Sequence, residues 1–242
     1  MKLTAEDTQR LLNVITTCAV GGIESIVIED GFVRGANPDK TFAIISDHEV
    51  PKFPQKIGIS RINSLKSRID LFSDNPNTVI EAKESERGEI SSIEISAGRN
   101  KAQFRCTSTM LIKAPKSIND EEVHGIILNK AELKIVLNAL KVMGAKTVQL
   151  IIKKEGNVTV GVADENNDLF SAALETPAQL KDGKEADSVV HYYHAPIFHS
   201  VVRTLSDAEV AGFIVGESGT LRTKINGHDV IVLPKINDSE EE

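Results

Sequence analysis

Apolar positions along the chain switch between helical and strand rhythms. Leu11, Leu12 and Ile15 recur at helical spacing behind Thr4 and Asp7, a capping pair three apart, and predict a helix over about Ala5–Thr17. Two β-prone runs follow, Ile23–Ile28 and Phe32–Arg34, split by Asp30-Gly31, a strong hairpin signal. Extended segments are expected at Thr41–Ser46 and Ile57–Ser60. Ile62, Leu65, Ile69 and Phe72 share one stripe of a second helix, and Val79–Ala82, Ile90–Ser96 and Ala102–Thr107 read as three strands.

The series then begins again. A shift of about 125 positions sets Leu3 on Leu128, Leu12 on Leu137, Asn13 on Asn138 and Ile15 on Leu140. Without a gap, Val27 falls on Ile152, Gly31 on Gly156 and Val33 on Val158. Ile57–Phe72 corresponds more loosely to Val189–Leu205, with Pro196 in the first helical turn, where its missing N–H costs nothing. Glu209–Gly216, Thr220–Ile225 and Asp229–Leu233 supply closing strands. The pattern is that of an α+β chain of two similar domains, each built from two βαβββ units. Domain one is expected at 1–107 and domain two at 125–236. The stretch 108–124, with Lys113-Ala114-Pro115-Lys116 and Asn119–Glu122, reads as a connector, and 237–242 as an acidic, disordered tail.

The helices differ from the rest of the chain in charge. On the helix Lys130–Met143, at about 100° per residue, Lys130, Lys134, Asn138 and Lys141 fall within about 80° of one another, opposite Leu133, Val136, Leu137, Leu140 and Met143. The first helix offers Ala5, Gln9, Asn13 and Thr16 with Arg10 to the side. The second places Asn63, Lys66 and Ser67 outward, flanked by Arg61 and Arg68, and the fourth sets His199 and Arg203 four apart. Strands and turns are acid-rich instead: Glu29, Asp30, Glu81, Glu84, Glu86, Glu89, Glu94, Glu155, Asp164 and Glu165. Each cationic stripe taken alone reads as solvated surface. Set against a net charge of −7, they give the chain two electrostatic characters. Clustered cations can hold phosphates by counterion release without reading sequence.

Composition narrows the classes. A chain of 242 residues, 40% hydrophobic and 26% charged, is expected to be globular with one or two cores, since ~100–200 residues make a domain. Two cysteines make no disulfide framework, no apolar run reaches the ~20 residues of a membrane helix, and the opening residues hold no apolar signal core. A reducing cytoplasm is the expected compartment. Aromatic residues are only 4% and Trp is absent, which disfavours stacking on single-stranded bases.

The whole pattern resembles a DNA polymerase sliding clamp of the two-domain kind found in tailed bacteriophages, eukaryotes and archaea. Met1-Lys2-Leu3 leading into an amphipathic helix is similar to the start of such clamps. Lys130–Leu174, with Val158–Asp164 and then Leu169-Phe170-Ser171, resembles the opening of their second domain. Leu233-Pro234-Lys235-Ile236 before an acidic tail is similar to the C-terminus of nuclear and archaeal members, while the short loops and the opening fit a bacteriophage member, placed in the host cytoplasm.

The resemblance implies the clamp fold, no enzymatic activity and no cofactor. It implies a head-to-tail homotrimeric ring that encircles double-stranded DNA and tethers the replicative polymerase, with polymerase and clamp loader as partners. Carried onto this chain, the DNA-facing residues are Arg10, Lys66, Lys130, Lys134, Lys141, His199 and Arg203. The partner-binding residues are Leu111, Ile112, Ala114, Pro115 and Ile118, with Val232, Leu233, Pro234, Lys235 and Ile236. Strand Ile90–Ser96 of one subunit is expected against Leu169–Leu174 of the next. Two other readings stay open: a structural or adaptor protein with duplicated domains that does not encircle DNA, and a small-molecule enzyme whose site is built by folding.

Other chemistry is weaker. His191 and His194 flank Tyr192 and Tyr193 in an HxxH spacing, but no third ligand follows, so no metal site is expected. Cys106 lies in a strand and reads as a small hydrophobe rather than a nucleophile. Glu84–Glu89 reads as a solvated turn. Asp164–Asp168 lacks the Gly and terminal Glu of a calcium loop and also reads as a turn.

Overall fold

The computed structural model describes residues 1–86, 88–164, 166, 168–181 and 187–235. Ile236 and the acidic tail therefore lie outside the described residues, as do Arg87 of the Glu84–Glu89 turn and two members of the Asp164–Asp168 turn. The chain forms two compact units. One holds Met1–Asp39, Ala43–Ser117 and Asn226–Asp229; the other holds Lys40–Phe42, Ile118–Ile225 and the residues from Val230.

The first unit opens with α1 (Ala5–Val20), where the Thr4 hydroxyl accepts from the Asp7 amide at 3.0 Å and Asp7 reaches back to the Thr4 amide. Strands β1 (Ser25–Glu29) and β2 (Phe32–Ala36) turn on Asp30 and Gly31, both at positive φ, 52° and 80°. With β3 (Phe42–Ser46) and β4 (Ile57–Ser60) they give the antiparallel order β3-β2-β1-β4. Helix α2 (Ile62–Asp70) follows, then β5 (Val79–Glu84), β6 (Ile90–Ala97) and β7 (Asn100–Arg105) as a three-stranded sheet. Leu11, Val14, Ile15 and Cys18 of α1 and Ile62, Leu65 and Ile69 of α2 are buried. Each such side chain contributes roughly 1.5–3 kcal/mol on leaving water.

Met1–Leu3 runs along the outer edge of β5: the Leu3 amide donates to the Ile80 carbonyl and the Ala82 amide to the Met1 carbonyl, both at 2.8 Å. So β5 is covered, β6 is paired on both sides, and β7 ends the sheet. This corrects the seam expected at Ile90–Ser96: β6 has no free backbone edge to offer a neighbour.

The second unit repeats the plan. Strand β8 (Glu122–Asn129) leads into α3 (Lys130–Met143), followed by β9 (Thr147–Ile152), β10 (Val158–Ala163) and β11 (Leu169–Ala173). After the short β12 (Gln179–Leu180) comes β13 (Val189–His194), then α4 (Ala195–Leu205), β14 (Val210–Gly216), β15 (Leu221–Ile225) and β16 (His228–Val232). One sheet runs β11-β10-β9-β13; β12-β8-β14-β15-β16 are neighbours in another. Each helix is thus followed by at least three strands, an α+β plan that occurs twice in each unit. Strand β8 starts inside the stretch read as connector, because Glu121-Glu122 masks the alternation of buried His124, Ile126 and Leu128.

Candidate nucleic-acid and partner interfaces

Helices α1 and α2 pack together in the first unit, α3 and α4 in the second. Their outward faces carry the candidate cations. On α3, the buried set Leu133, Val136, Ala139 and Leu140 turns Lys134, Asn138 and Lys141 to solvent. Asn129 caps its start and Gly144, at φ 58°, ends it in the left-handed conformation that favours glycine. On α4, Phe198, Val201 and Val202 are buried, Arg203 is exposed and His199 is half-buried.

The candidate DNA-facing side chains are not equivalent. Arg10 is held by Glu6 at 2.5 Å and Lys66 by Asp70 at 2.7 Å, each four residues apart on its helix. Lys130 meets Glu209 at 2.7 Å, and that hydrogen-bonded pairing raises the lysine pKa and lowers the glutamate's. Among the described residues, no carboxylate stands within ion-pair reach of Lys134, Lys141 or Arg203. Arg61 and Arg68 are occupied differently: their guanidinium carbons lie 5.5 and 5.8 Å from the ring centre of buried Phe104. Among the candidate helix cations, those outside ion-pair reach of a described carboxylate therefore sit on the α3–α4 pair. Sequence reading missed that Ile135 and Val142, 50% and 81% exposed, share this face with the lysines.

Strands β7 and β11 each end a sheet. Strand β7 carries exposed Lys101, Gln103 and Arg105, with exposed Arg99 just before it. Strand β11 ends its own sheet, is nowhere buried, and lies between exposed Asp168 and Glu175. One edge is basic and the other acidic. An open edge is a template for pairing with another chain.

The connector candidates have a fixed origin. The Thr107 amide donates to the Gly58 carbonyl at 2.9 Å, and a Cβ on Gly58 would sit 2.2 Å from the Thr107 carbonyl oxygen, so only glycine admits this approach. Glu89 accepts from the Thr109 amide and hydroxyl at 3.3 and 2.6 Å, and the hydroxyl bond is the main cause of its lowered pKa. Beyond this anchor the turn Thr109–Leu111 exposes Met110 and Leu111, 88% and 76%, while Ile112, Ala114, Pro115 and Ile118 are half-buried. Met110, the most exposed large hydrophobic among the described residues, was not singled out in the sequence, although it adjoins Leu111 in a polar stretch.

In the second unit Asp120 accepts from the amides of Ser218 and Thr220 at 2.8 and 3.1 Å and from the Thr220 hydroxyl at 2.6 Å. Burial pushes this carboxyl up, and the hydrogen bonds outweigh it and hold the pKa below its ordinary value. Arg222 donates to the carbonyls of Ile118 and Asp120 at 2.9 and 3.2 Å. Of the C-terminal candidates, Leu233 and Pro234 are half-buried and Lys235 is exposed, its amide bonded to the Tyr192 carbonyl at 2.6 Å. Val232 is fully buried at the end of β16 and presents no side chain to a partner, which corrects its place among the docking residues.

Among the described residues no group of three His, Cys, Asp or Glu is arranged to hold a metal. His191 and His194, three apart on β13, point to opposite faces of the sheet. Burial pushes the Cys106 thiol up to about 12, far from a reactive thiolate. Asp164 accepts from the Asn166 and Asp168 amides at 2.8 and 2.9 Å, a turn within its own loop. Among the described residues no helix is long and apolar enough to cross a membrane.

No family model and no curated protein matches the sequence. Solved structures do. The structure of A. fulgidus PCNA with the C-terminal region of FEN-1 bound aligns with 98% of this chain and 100% of its own, at 14% identity and TM-score 0.63. The PCNA2–PCNA3 complex of Sulfolobus tokodaii aligns with 97% of this chain and 99% of its own, at 12% and 0.63. Proliferating Cellular Nuclear Antigen of Entamoeba histolytica aligns with 97% and 98%, at 10% and 0.65. The architecture is that of the duplicated helix-and-three-strand proteins. More narrowly, the chain has the PCNA-type sliding-clamp fold over nearly its whole length.

Proposed function

We propose that this protein is a non-enzymatic sliding clamp: copies join head to tail into a ring, double-stranded DNA passes through it, and a replicative polymerase is tethered for processive synthesis. The observation that carries the reading is that Lys134, Lys141 and Arg203, on packed helices of a clamp fold, stand outside ion-pair reach of any described carboxylate. Contacts of this kind bind phosphate without sequence preference and are screened by salt, which suits a ligand that must slide. Ring closure has an obvious pair of surfaces. An antiparallel match of β7 on one copy with β11 on the next brings Arg105 toward Asp168 and Arg99 toward Glu175, and a heterologous contact of this kind closes into a ring when its rotation allows. Three copies are the expected number. Polymerase and clamp loader dock on the connector, with Met110 and Leu111 as the exposed apolar anchors beside Ile112, Ala114, Pro115 and Ile118, and on Leu233–Lys235.

The test is primer extension with cognate polymerase and loader on circular and linear templates. The parent should extend processively and persist on circles while running off linear ends. Lys134→Glu with Lys141→Glu should shorten products severalfold while the circular dichroism stays that of the parent. Equal processivity of the charge-reversed protein would remove the DNA-facing assignment. A parent that remains monomeric and stimulates no polymerase would favour the adaptor reading instead.

A further inference from the structure

We infer that Glu132 is a positioning residue that locks the seam strand β11 to the cation-bearing helix α3, so that ring closure and the DNA-facing surface hang on one carboxylate. This rests on the ring reading above. Glu132 is only 6% exposed and each of its oxygens holds a different backbone amide. Oε2 accepts from the Asn129 amide at 2.7 Å, completing the cap of α3. Oε1 accepts from the Glu175 amide, also at 2.7 Å, 43 residues further along the chain. The Asn129 side-chain amide adds a contact to the Glu175 carboxylate at 3.3 Å. The sheet holds β11 as far as Leu174, whose amide donates to the Val158 carbonyl at 2.9 Å. One residue later the ladder stops and Glu132 takes the next N–H. Helix α3 also packs directly on β11.

The other repeat supplies a contrast. A shift of about 125 positions sets Thr4 on Asn129 and Asp7 on Glu132, so the two caps are equivalent. Asp7 is one methylene shorter, and its Oδ2 serves only its own cap, accepting from the Thr4 amide at 3.3 Å and the Thr4 hydroxyl at 2.7 Å. A cap therefore needs no glutamate at this place. The extra length of Glu132 serves the bond to Glu175. A carboxylate shared between two amides in a buried setting makes charge-assisted bonds that fix both elements. Glu175 is also the acid placed opposite Arg99 of the next copy, so Glu132 sets one end of the seam.

Glu132→Asp in the full chain turns the second cap into the chemistry of the first. By sedimentation, the concentration at which its rings half-dissociate should rise about tenfold, the loss of one charge-assisted bond. By hydrogen exchange, the Glu175 amide should lose protection while the amides of α3 keep theirs. Glu132→Gln keeps the reach but offers one acceptor oxygen to two amides and turns an N–H donor on the other, so it should weaken the ring as well. Rings of parental strength in Glu132→Asp, or loss of α3 protection together with the ring, overturn the inference; the second result makes Glu132 a helix cap and nothing more. A parent that forms no ring at all fails at the first measurement, and takes down the ring reading and this inference together.

Discussion

At the scale of single residues, the chain uses carboxylates as fixtures more than as charges. Asp120 and Glu132 each hold two backbone amides, and Glu89 one amide and one hydroxyl. Asp120 is the fullest case, with three donors on one carboxylate and no room for a side chain beside it: a Cβ on Gly216 would lie 2.0 Å from its Oδ2. Asp120→Asn keeps the shape but replaces an anionic acceptor by a neutral one with a misplaced N–H donor. It should lower the free energy of unfolding at neutral pH by about 1–3 kcal/mol in urea titrations. The sign with pH follows from the lowered pKa. The contribution is whole above the unfolded value, near 3.8, and disappears as pH falls through the lower folded value. The gap between parent and variant should therefore close in acid, and a gap that persists unchanged below that range would point to lost packing instead of lost charge.

At the scale of elements, the helices and most strands are legible because their signals are local. Stripe positions such as Leu133, Val136 and Leu140 obey the helical period whatever surrounds them, and Asp30-Gly31 sets its turn through its own dihedrals. The pairs Arg10–Glu6 and Lys66–Asp70 were legible too, from their four-residue spacing, and would have demoted both cations. Lys130–Glu209 was not, since 79 residues separate its members. Strand edges are the least legible of all. That β6 is central and β7 open depends on pairings with Val79–Glu84 and on Met1–Leu3 covering the far side, none of it encoded in the Ile90–Ser96 run itself. The seam makes a prediction at this scale. Lys101→Glu with Arg105→Glu reverses the basic edge, so the proposed ring should dissociate at concentrations at least tenfold higher in light scattering at low salt, because like charges across an interface oppose register. Adding Asp168→Lys should recover part of the loss. No change in assembly would send the seam to another edge.

At the scale of the whole molecule, three of its six histidines, His124, His191 and His228, give the fold a pH dependence that its excess of acids would hide. His228 in the first unit and His124 in the second are 0% and 4% exposed, and His191 is half-buried. Burial is the leading cause that lowers the pKa of all three. His124 reinforces the effect at His191 and His48 at His228, while Asp120 opposes it at the first and Glu49 and Asp229 at the second. The folded value lies below the unfolded one, so both states are neutral above about pH 6.5 and stability there is flat with respect to these groups. As pH falls through that value the unfolded chain takes up protons that the folded chain refuses, and stability declines until the folded pKa values are passed. His228 isolates one share of this loss. Among the described residues neither of its ring nitrogens has a hydrogen-bond partner, and its ring meets His48 edge-on at 5.8 Å. His228→Leu removes a buried polar group with no protein partner among the described residues, so it should match or exceed the parent's urea midpoint at pH 7.5. Between pH 6.5 and 5 its midpoint should fall less steeply than the parent's. Parallel pH curves for the two proteins would mean that His228 charges as readily folded as unfolded, and the acid loss would then belong to His124 and His191.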